Sequence, residues 1–230
     1  DADLEIAIPG VIDGMRYTRQ GQACTAGSRV YIHEKIYDKV LDGAVKKLSI
    51  LKMGNALDEN SDIGAIISEE QLKRTLYYMD IAKKNPSTKI LHGGNQSKGG
   101  EYKDGFYYEP TLLSGLPVSS PVCQEEVFGP VACAIPFKSF DEVMKSANDT
   151  QFGLSAVLWT KDLSRALQFV DEIEAGFVQV NQCVAPRANV SYGGIKMSGL
   201  GKEYAFDSMM NHFTQSKTVL INRGKSNIDV

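Results

Sequence analysis

The sequence predicts an α/β fold in which helices cover both faces of a mainly parallel β-sheet. Segments with the alternating pattern of strands and segments with the spacing of amphipathic helices follow each other through most of the 230 residues. Hydrophobic residues make up 43% and charged residues 23% of the chain, which is typical of a globular protein with room for one substantial domain. Ligands of such sheets bind beyond the carboxyl ends of the strands.

The first predicted elements lead to and away from a loop that contains Cys24. Apolar residues at helical spacing predict a helix over residues 4–17, which Pro9 either begins or kinks. Residues 29–33 alternate and favour a strand, and a helix is predicted to follow over residues 34–50. Cys24 is therefore expected in a helix-to-strand loop.

The later elements are predicted from capping residues and from short apolar runs. Three helices are expected to begin at polar N-caps, which are Ser68, Ser139 and Asp162. Strands are predicted at residues 89–92, 131–137, 154–159 and 177–180. Residues 106–131 contain four prolines and little periodicity, so extended or irregular chain is expected there. A helix over residues 202–212 and a strand over residues 217–221 complete the prediction.

Composition and charge argue against several classes of partner. The net charge is −3 and no basic run stands out, so neither nucleic acid nor a membrane surface is an expected partner. No apolar run is long enough to span a bilayer. The cysteines are widely spaced, which predicts neither a metal site nor a disulfide framework and fits a cytoplasmic protein.

Cys24 has the sequence environment of a nucleophile. It lies in the segment Gly-Gln-Ala-Cys-Thr-Ala-Gly-Ser-Arg (residues 21–29), whose small residues leave the thiol accessible and expose backbone amides. A thiolate that attacks a carbonyl needs this access and a donor for the developing oxyanion, and the Cys24 backbone N–H can be one. The alternative is that Cys24 is a small buried apolar residue, as free cysteines commonly are.

This segment resembles the active-site segment of the aldehyde dehydrogenase superfamily, in which the cysteine attacks the aldehyde. Four further segments resemble that family in the same order, at residues 124–131, 148–160, 176–181 and 192–203. These motifs extend over nearly the whole chain and correspond to the later part of the family's chain. The resemblance implies oxidation of an aldehyde to a carboxylic acid with NAD or NADP, through a thiohemiacetal and a thioester on Cys24.

The resemblance also implies which residues contact the cofactor. In the pair Glu125-Glu126, the second glutamate takes the position that contacts the nicotinamide ribose, and Phe128 takes the position beside the nicotinamide ring. A carboxylate can accept hydrogen bonds from both ribose hydroxyls. Judged from the residues alone, a glutamate pair is more often a solvated surface feature, and this alternative stays open.

Substrate contacts are expected from the loop that follows the strand at residues 177–180. By resemblance, Tyr192 lines the entrance for the aldehyde and Asn181 lies near the floor of the active site. Arg187 is a third candidate, from the same loop. The alternatives are a packing role for Tyr192, a turn-fixing role for Asn181 and a surface charge for Arg187. Family members usually have phenylalanine at the position of Tyr192, and the hydroxyl suggests a somewhat polar substrate.

Two domains are expected: a catalytic domain over residues 1–203, and a C-terminal helix with an oligomerisation strand and tail over residues 204–230. A lone terminal strand is an open edge, and in the family the corresponding strand joins a sheet between subunits, so a homodimer or homotetramer is expected. The chain contains no Gly-x-Gly-x-x-Gly phosphate loop. The resemblance implies that the main cofactor-binding domain, the general-base glutamate and an asparagine that donates to the oxyanion lie upstream, and that the chain alone has little or no activity.

Three other functions are kept open by the sequence. A coenzyme-A-acylating dehydrogenase would share Cys24 as nucleophile and transfer the acyl group to a thiol. A cysteine hydrolase would require a histidine within hydrogen-bond reach of Cys24. A non-catalytic scaffold or oligomerisation module would keep the fold, with Cys24 no more reactive than the other cysteines.

Overall fold

A computed structural model describes residues 1–222 of the chain. The helices are α1 Leu4–Gly14, α2 Tyr37–Leu48, α3 Glu69–Lys84, α4 Pro121–Gln124, α5 Phe140–Asn148, α6 Leu163–Glu172 and α7 Phe206–Phe213. The strands are β1 Arg29–His33, β2 Lys89–His92, β3 Thr111–Ser114, β4 Val131–Phe137, β5 Phe152–Gly153, β6 Ser155–Leu158, β7 Phe177–Val180 and β8 Ile195–Lys196. The predicted α/β fold is confirmed.

The principal sheet is mixed. Its strand order is β1-β4-β3-β2, with β4 parallel to both β1 and β3, and β2 antiparallel to β3. A parallel neighbour needs a long crossover, usually a helix, and residues 93–110 between β2 and β3 contain only one short helical turn, so β3 runs back beside β2. The parallel pair β6–β7 and the antiparallel pair β5–β8 are separate from this sheet. The prediction of a mainly parallel sheet is therefore right for two of the three pairings of the principal sheet, and it is corrected for β2, which is antiparallel, and for β5 to β8, which lie outside that sheet.

Helices pack on both faces of the principal sheet, as predicted. One core cluster contains Leu72 and Met79 of α3, and the other contains Ile12 of α1 and Leu48 of α2. Successive side chains of a strand point to opposite faces. In β4 the two clusters accordingly receive alternate residues, with Val131, Cys133 and Ile135 in the first and Ala132 and Ala134 in the second.

The three predicted N-caps are confirmed. Ser68, Ser139 and Asp162 each accept a hydrogen bond from the backbone N–H three residues later. Pro9 lies inside α1. Local capping chemistry can be read from sequence because both partners lie within one helical turn.

The central strand β3 was missed by sequence reasoning. It lies within residues 106–131, where irregular chain was expected, although all of its four residues are buried. A short strand that is covered on both faces shows no polar–apolar alternation, and the neighbouring prolines favour a loop assignment. β3 is identified as a strand by its place in the sheet, between β4 and β2.

The C-terminal segment does not form the predicted strand within the described chain. Residues 214–222 are assigned neither helix nor strand, and Val219, Leu220 and Ile221 are 63%, 92% and 79% exposed. An extended segment becomes a strand only where a sheet edge is offered to it. The oligomerisation strand therefore stays a prediction, and its tail beyond residue 222 lies outside the described residues.

None of the helices within residues 1–222 combines the length and the apolar character that crossing a membrane requires.

Candidate active site

Cys24 lies in the loop between α1 and β1, where the sequence placed it. The Ala26 N–H donates to the Ala23 carbonyl at 2.9 Å and closes a turn around the cysteine. The Gly27 N–H donates to the Gly14 carbonyl, also at 2.9 Å, which fastens the loop to the end of α1. The Cys24 side chain is exposed.

The other cysteines are less accessible. Cys123 and Cys133 are buried, and Cys183 is half-buried. The hydrogen bond that Cys133 donates to Cys123, together with burial, raises the pKa of Cys133, and burial raises the pKa of Cys183. Within the described residues, which include every cysteine of the chain, only Cys24 presents an exposed thiol.

The Cys24 loop packs directly against the loop formed by residues 126–129. Gly21 has a φ of +64°, and a Cβ atom on it would lie only 2.2 Å from the Gly129 carbonyl oxygen. Cys24, Glu126 and Phe128 line one cleft with a volume of about 1150 Å³. The structure therefore brings the predicted nucleophile together with the two predicted cofactor contacts.

Gln71 of α3 holds the main chain of the 126–129 loop. Its Nε2 atom donates to the Val127 carbonyl at 3.0 Å and to the Phe128 carbonyl at 2.7 Å. Phe128 has a φ of +55°, a left-handed conformation that is unfavourable for a bulky residue. The two hydrogen bonds from Gln71 offset part of that cost.

Arg74, one turn further along α3, holds the same loop. Its guanidinium donates from both Nε and Nη2 to the Glu126 carbonyl and lies over the Tyr78 ring. The Tyr78 hydroxyl donates to Glu125 Oε2 at 2.7 Å, and burial with this hydrogen bond raises the pKa of Tyr78 to about 12. The Glu126 carboxylate is exposed and has no hydrogen-bond partner among the described residues.

Sequence reasoning missed Gln71 and Arg74 as site residues. In the sequence, the position of Gln71 three residues after Ser68 indicates only the start of a helix. Its side-chain partner is 57 residues away at Phe128. No local pattern indicates a contact at that distance along the chain.

Tyr192 is the predicted substrate residue that the structure brings to the thiol. Its hydroxyl is hydrogen bonded to Cys24 Sγ at 3.2 Å. Its ring packs edge-on against Phe177 and Tyr204, with centroid distances of 5.3 and 5.8 Å. Burial and the hydrogen bond with Cys24 raise the pKa of Tyr192 well above its usual range.

Hydrogen bonds join the two ends of the segment that begins with Tyr192. Tyr192 exchanges two backbone hydrogen bonds with Glu203, at 3.0 and 2.7 Å. The Lys202 ammonium donates to the Gly193 carbonyl at 2.7 Å and to the Gly194 carbonyl at 3.2 Å. Residues 192–203 thus form a loop that fixes the position of the tyrosine.

Asn181 and Arg187 are not brought to the cleft that contains Cys24. The Asn181 side chain accepts from the Thr160 N–H at 2.9 Å and donates to the Thr160 carbonyl at 2.7 Å, so it joins the ends of β6 and β7. This is the turn-fixing role that the sequence left open. Arg187 is exposed on the loop after β7. A substrate role for either residue stays a prediction without support from these contacts.

The chain's histidines all lie away from Cys24. The His33 Nδ1 atom accepts from the Lys35 N–H, the His92 ring is hydrogen bonded to the Pro110 carbonyl, and His212 lies beside Gly201. Within residues 1–222, which contain all three histidines, none is a hydrogen-bond partner of Cys24. The described residues therefore give no support to a cysteine hydrolase, whose mechanism requires an imidazole base beside the thiol.

The fold and the site define an α/β domain that presents one accessible thiol to a large cleft. The family model described as Aldehyde dehydrogenase family matches residues 1–219. The chain belongs to the aldehyde dehydrogenase family.

Individual relatives agree with this assignment. An aldehyde dehydrogenase from Rhodospirillum rubrum is 38% identical over 221 residues, which cover 96% of this chain and 43% of the relative. A betaine aldehyde dehydrogenase from Brucella melitensis is 35% identical, covering 98% of this chain and 46% of the relative. The NAD+ complex of an aldehyde dehydrogenase from Bacillus cereus superposes with a TM-score of 0.91 at 34% identity, covering 97% of this chain and 44% of that one. The chain spans less than half the length of these relatives.

Proposed function

We propose that this chain forms the catalytic domain of an NAD(P)-dependent aldehyde dehydrogenase in which Cys24 is the nucleophile. The proposal depends above all on one observation: Cys24, Glu126 and Phe128, from two separate motifs, line the same cleft. Membership of the family supports the oxidation of an aldehyde, and the NAD+ complex of a similar structure supports a nicotinamide cofactor.

Cys24 carries the acyl group through the proposed reaction. Its thiolate forms a bond to the aldehyde carbon while the electron pair of the carbonyl bond moves onto oxygen. The Cys24 backbone N–H donates to no acceptor among the described residues, so it is free to stabilise this oxyanion. Departure of the hydride leaves a thioester on Cys24, which water hydrolyses to the acid. The bound nicotinamide supplies the acceptor for that hydride.

Glu126 and Phe128 fit the nicotinamide end of such a cofactor. Arg74 holds the loop through the Glu126 main-chain carbonyl, so no described residue occupies the carboxylate oxygens, which can accept hydrogen bonds from vicinal ribose hydroxyls. The half-buried Phe128 ring offers an apolar surface for the nicotinamide. The chain contains no glycine-rich phosphate loop, so we propose that other parts of the full-length protein hold the rest of the dinucleotide.

The test is aldehyde-dependent NAD(P)H formation by the full-length protein that carries this sequence. We expect Cys24→Ala to lower kcat by about a thousandfold or more, while the matched variant Cys183→Ala retains activity. The isolated chain is expected to form little or no NAD(P)H. Full activity of Cys24→Ala would refute the proposal. Release of the product as a coenzyme A thioester, and not as free acid, would instead identify the acylating type of dehydrogenase.

We also propose that residues 1–203 form the catalytic domain and that the segment from residue 204 onwards mediates a homodimer or homotetramer. Exposed apolar side chains support this role: Phe206, Phe213, Leu220 and Ile221 are 69%, 82%, 92% and 79% exposed. Apolar surface of this kind is usually covered by another chain. Sedimentation of the full-length protein tests it, with Leu220→Glu expected to shift the assembly toward smaller species and an unchanged sedimentation profile counting against it.

A further inference from the structure

We propose that the Tyr192 hydroxyl is a further hydrogen-bond donor to the oxyanion that forms when Cys24 attacks a carbonyl group. Tyr192 is then a catalytic residue, and not only part of the wall of the substrate entrance. This inference rests on the proposed role of Cys24 as the nucleophile.

The position of the hydroxyl relative to the sulfur carries the inference. The Tyr192 oxygen lies 3.2 Å from Cys24 Sγ. In the tetrahedral adduct, the oxyanion is bonded to the same carbon atom as Sγ, so it lies within one hydrogen-bond length of the sulfur. A donor in contact with Sγ therefore reaches the oxyanion after only a small displacement.

The hydroxyl interacts more strongly with the adduct than with the resting thiol. Sulfur is a weak hydrogen-bond acceptor because its charge is spread over a large atom, whereas an oxyanion accepts short, charge-assisted hydrogen bonds. Because a tyrosine hydroxyl carries its proton at neutral pH, the donor is present when the charge develops. An interaction that strengthens toward the transition state increases the rate of the addition step.

The surroundings of Tyr192 hold the donor in place before the reaction. Phe177 and Tyr204 pack edge-on against its ring, and the paired backbone bonds with Glu203 fix its main chain. A donor that does not reorganise when charge develops is the arrangement that stabilises oxyanions best. With the Cys24 backbone N–H, residues 1–222 supply two donors to the oxyanion.

Two electrophiles distinguish oxyanion donation by Tyr192 from a role in which Tyr192 only positions Cys24. With 4-nitrophenyl acetate, the Cys24 sulfur bonds to the carbonyl carbon, the carbonyl electron pair shifts to oxygen and returns, and 4-nitrophenolate leaves. With iodoacetamide, the sulfur displaces iodide from a saturated carbon and no oxyanion forms. Both rates are measured on the full-length protein for wild type, Tyr192→Phe and the control Tyr204→Phe, and peptide mapping confirms that Cys24 is modified.

We expect Tyr192→Phe to slow acylation of Cys24 by about tenfold or more, while its alkylation changes by less than about twofold. Tyr204→Phe, which keeps the packing ring, is expected to leave both rates unchanged. An equal change in both reactions, or no change in acylation, would overturn the role of Tyr192 but leave Cys24 as the nucleophile. Failure of wild-type Cys24 to be acylated would overturn both this inference and the proposed function.

Discussion

Gly21 joins the two loops of the site through a contact that only glycine permits. Its φ of +64° and the 2.2 Å separation between a Cβ atom and the Gly129 oxygen exclude a side chain. We expect Gly21→Ala to lower the free energy of unfolding by about 1–3 kcal/mol and to change the rate at which iodoacetamide alkylates Cys24.

Gly27→Ala is the matched control for that experiment. A Cβ atom on Gly27 would have its nearest neighbour at 3.7 Å, which is ordinary contact. We expect its free energy of unfolding, measured by denaturant titration, to stay within about 1 kcal/mol of wild type. Equal effects of the two substitutions would show that the contact with Gly129 is unimportant.

Glu126 and Glu125 are adjacent, but the structure gives them different environments. The Glu126 carboxylate has no hydrogen-bond partner within residues 1–222, whereas Glu125 accepts from the Tyr78 hydroxyl. We expect Glu126→Gln to raise the KM for the nicotinamide cofactor by about tenfold, because a charged acceptor for the ribose hydroxyls is lost. Glu125→Gln should leave that KM unchanged, and steady-state kinetics on the full-length protein separates the two. A larger effect at Glu125 would reverse the assignment.

At the scale of elements, α3 positions the 126–129 loop that borders the cleft. Gln71→Ala removes two hydrogen bonds to that loop while its own backbone N–H can still donate to the Ser68 cap. We expect it to lower the free energy of unfolding by about 1–3 kcal/mol and to raise the KM for the cofactor more than it lowers kcat.

Lys73→Ala on the same helix is the control for Gln71→Ala. Lys73 forms an exposed ion pair with Glu69, and such pairs contribute little. We expect its free energy of unfolding to stay within about 0.5 kcal/mol of wild type, with an unchanged KM. A cofactor KM that is insensitive to Gln71→Ala would mean that the loop keeps its shape without α3.

At the scale of the whole molecule, buried tyrosines make the free energy of unfolding depend on pH in the alkaline range. Burial raises the pKa of both Tyr17 and Tyr108 above the usual value, so the folded state keeps protons that the unfolded chain releases above about pH 10. The contribution of the two tyrosines to the free energy of unfolding is complete below that pH and is lost as the pH rises toward their folded-state pKa. We expect the free energy of unfolding to fall steadily above pH 10, as followed by denaturant titration.

The same two tyrosines differ in their hydrogen bonding. The Tyr17 hydroxyl donates to the Thr111 carbonyl at 2.8 Å, whereas the Tyr108 hydroxyl has no partner among the described residues. At neutral pH, we expect Tyr17→Phe to cost about 1–3 kcal/mol and Tyr108→Phe to be close to neutral. Each variant should weaken the alkaline pH dependence. Equal losses of the free energy of unfolding at neutral pH would contradict the assigned difference in hydrogen bonding.

Local chemistry explains which parts of the fold and site could be predicted from sequence. The caps at Ser68, Ser139 and Asp162 and the strand limits at residues 29–33, 131–137 and 177–180 depend on neighbours within a few residues. The position of Cys24 between a helix and a strand follows from the same short-range patterns. The family was predicted from the order of its motifs along the chain, which requires no knowledge of where the motifs meet.

Only the tertiary structure decided what meets at the thiol. The Tyr192 hydroxyl reaches Cys24 across 168 residues, and Gln71 reaches the Phe128 carbonyl across 57. The same holds for β3, whose four buried residues are recognisable as a strand only between β2 and β4. Such contacts depend on strand order and helix packing, which bring distant segments together. They leave no periodic signal in the sequence of either segment.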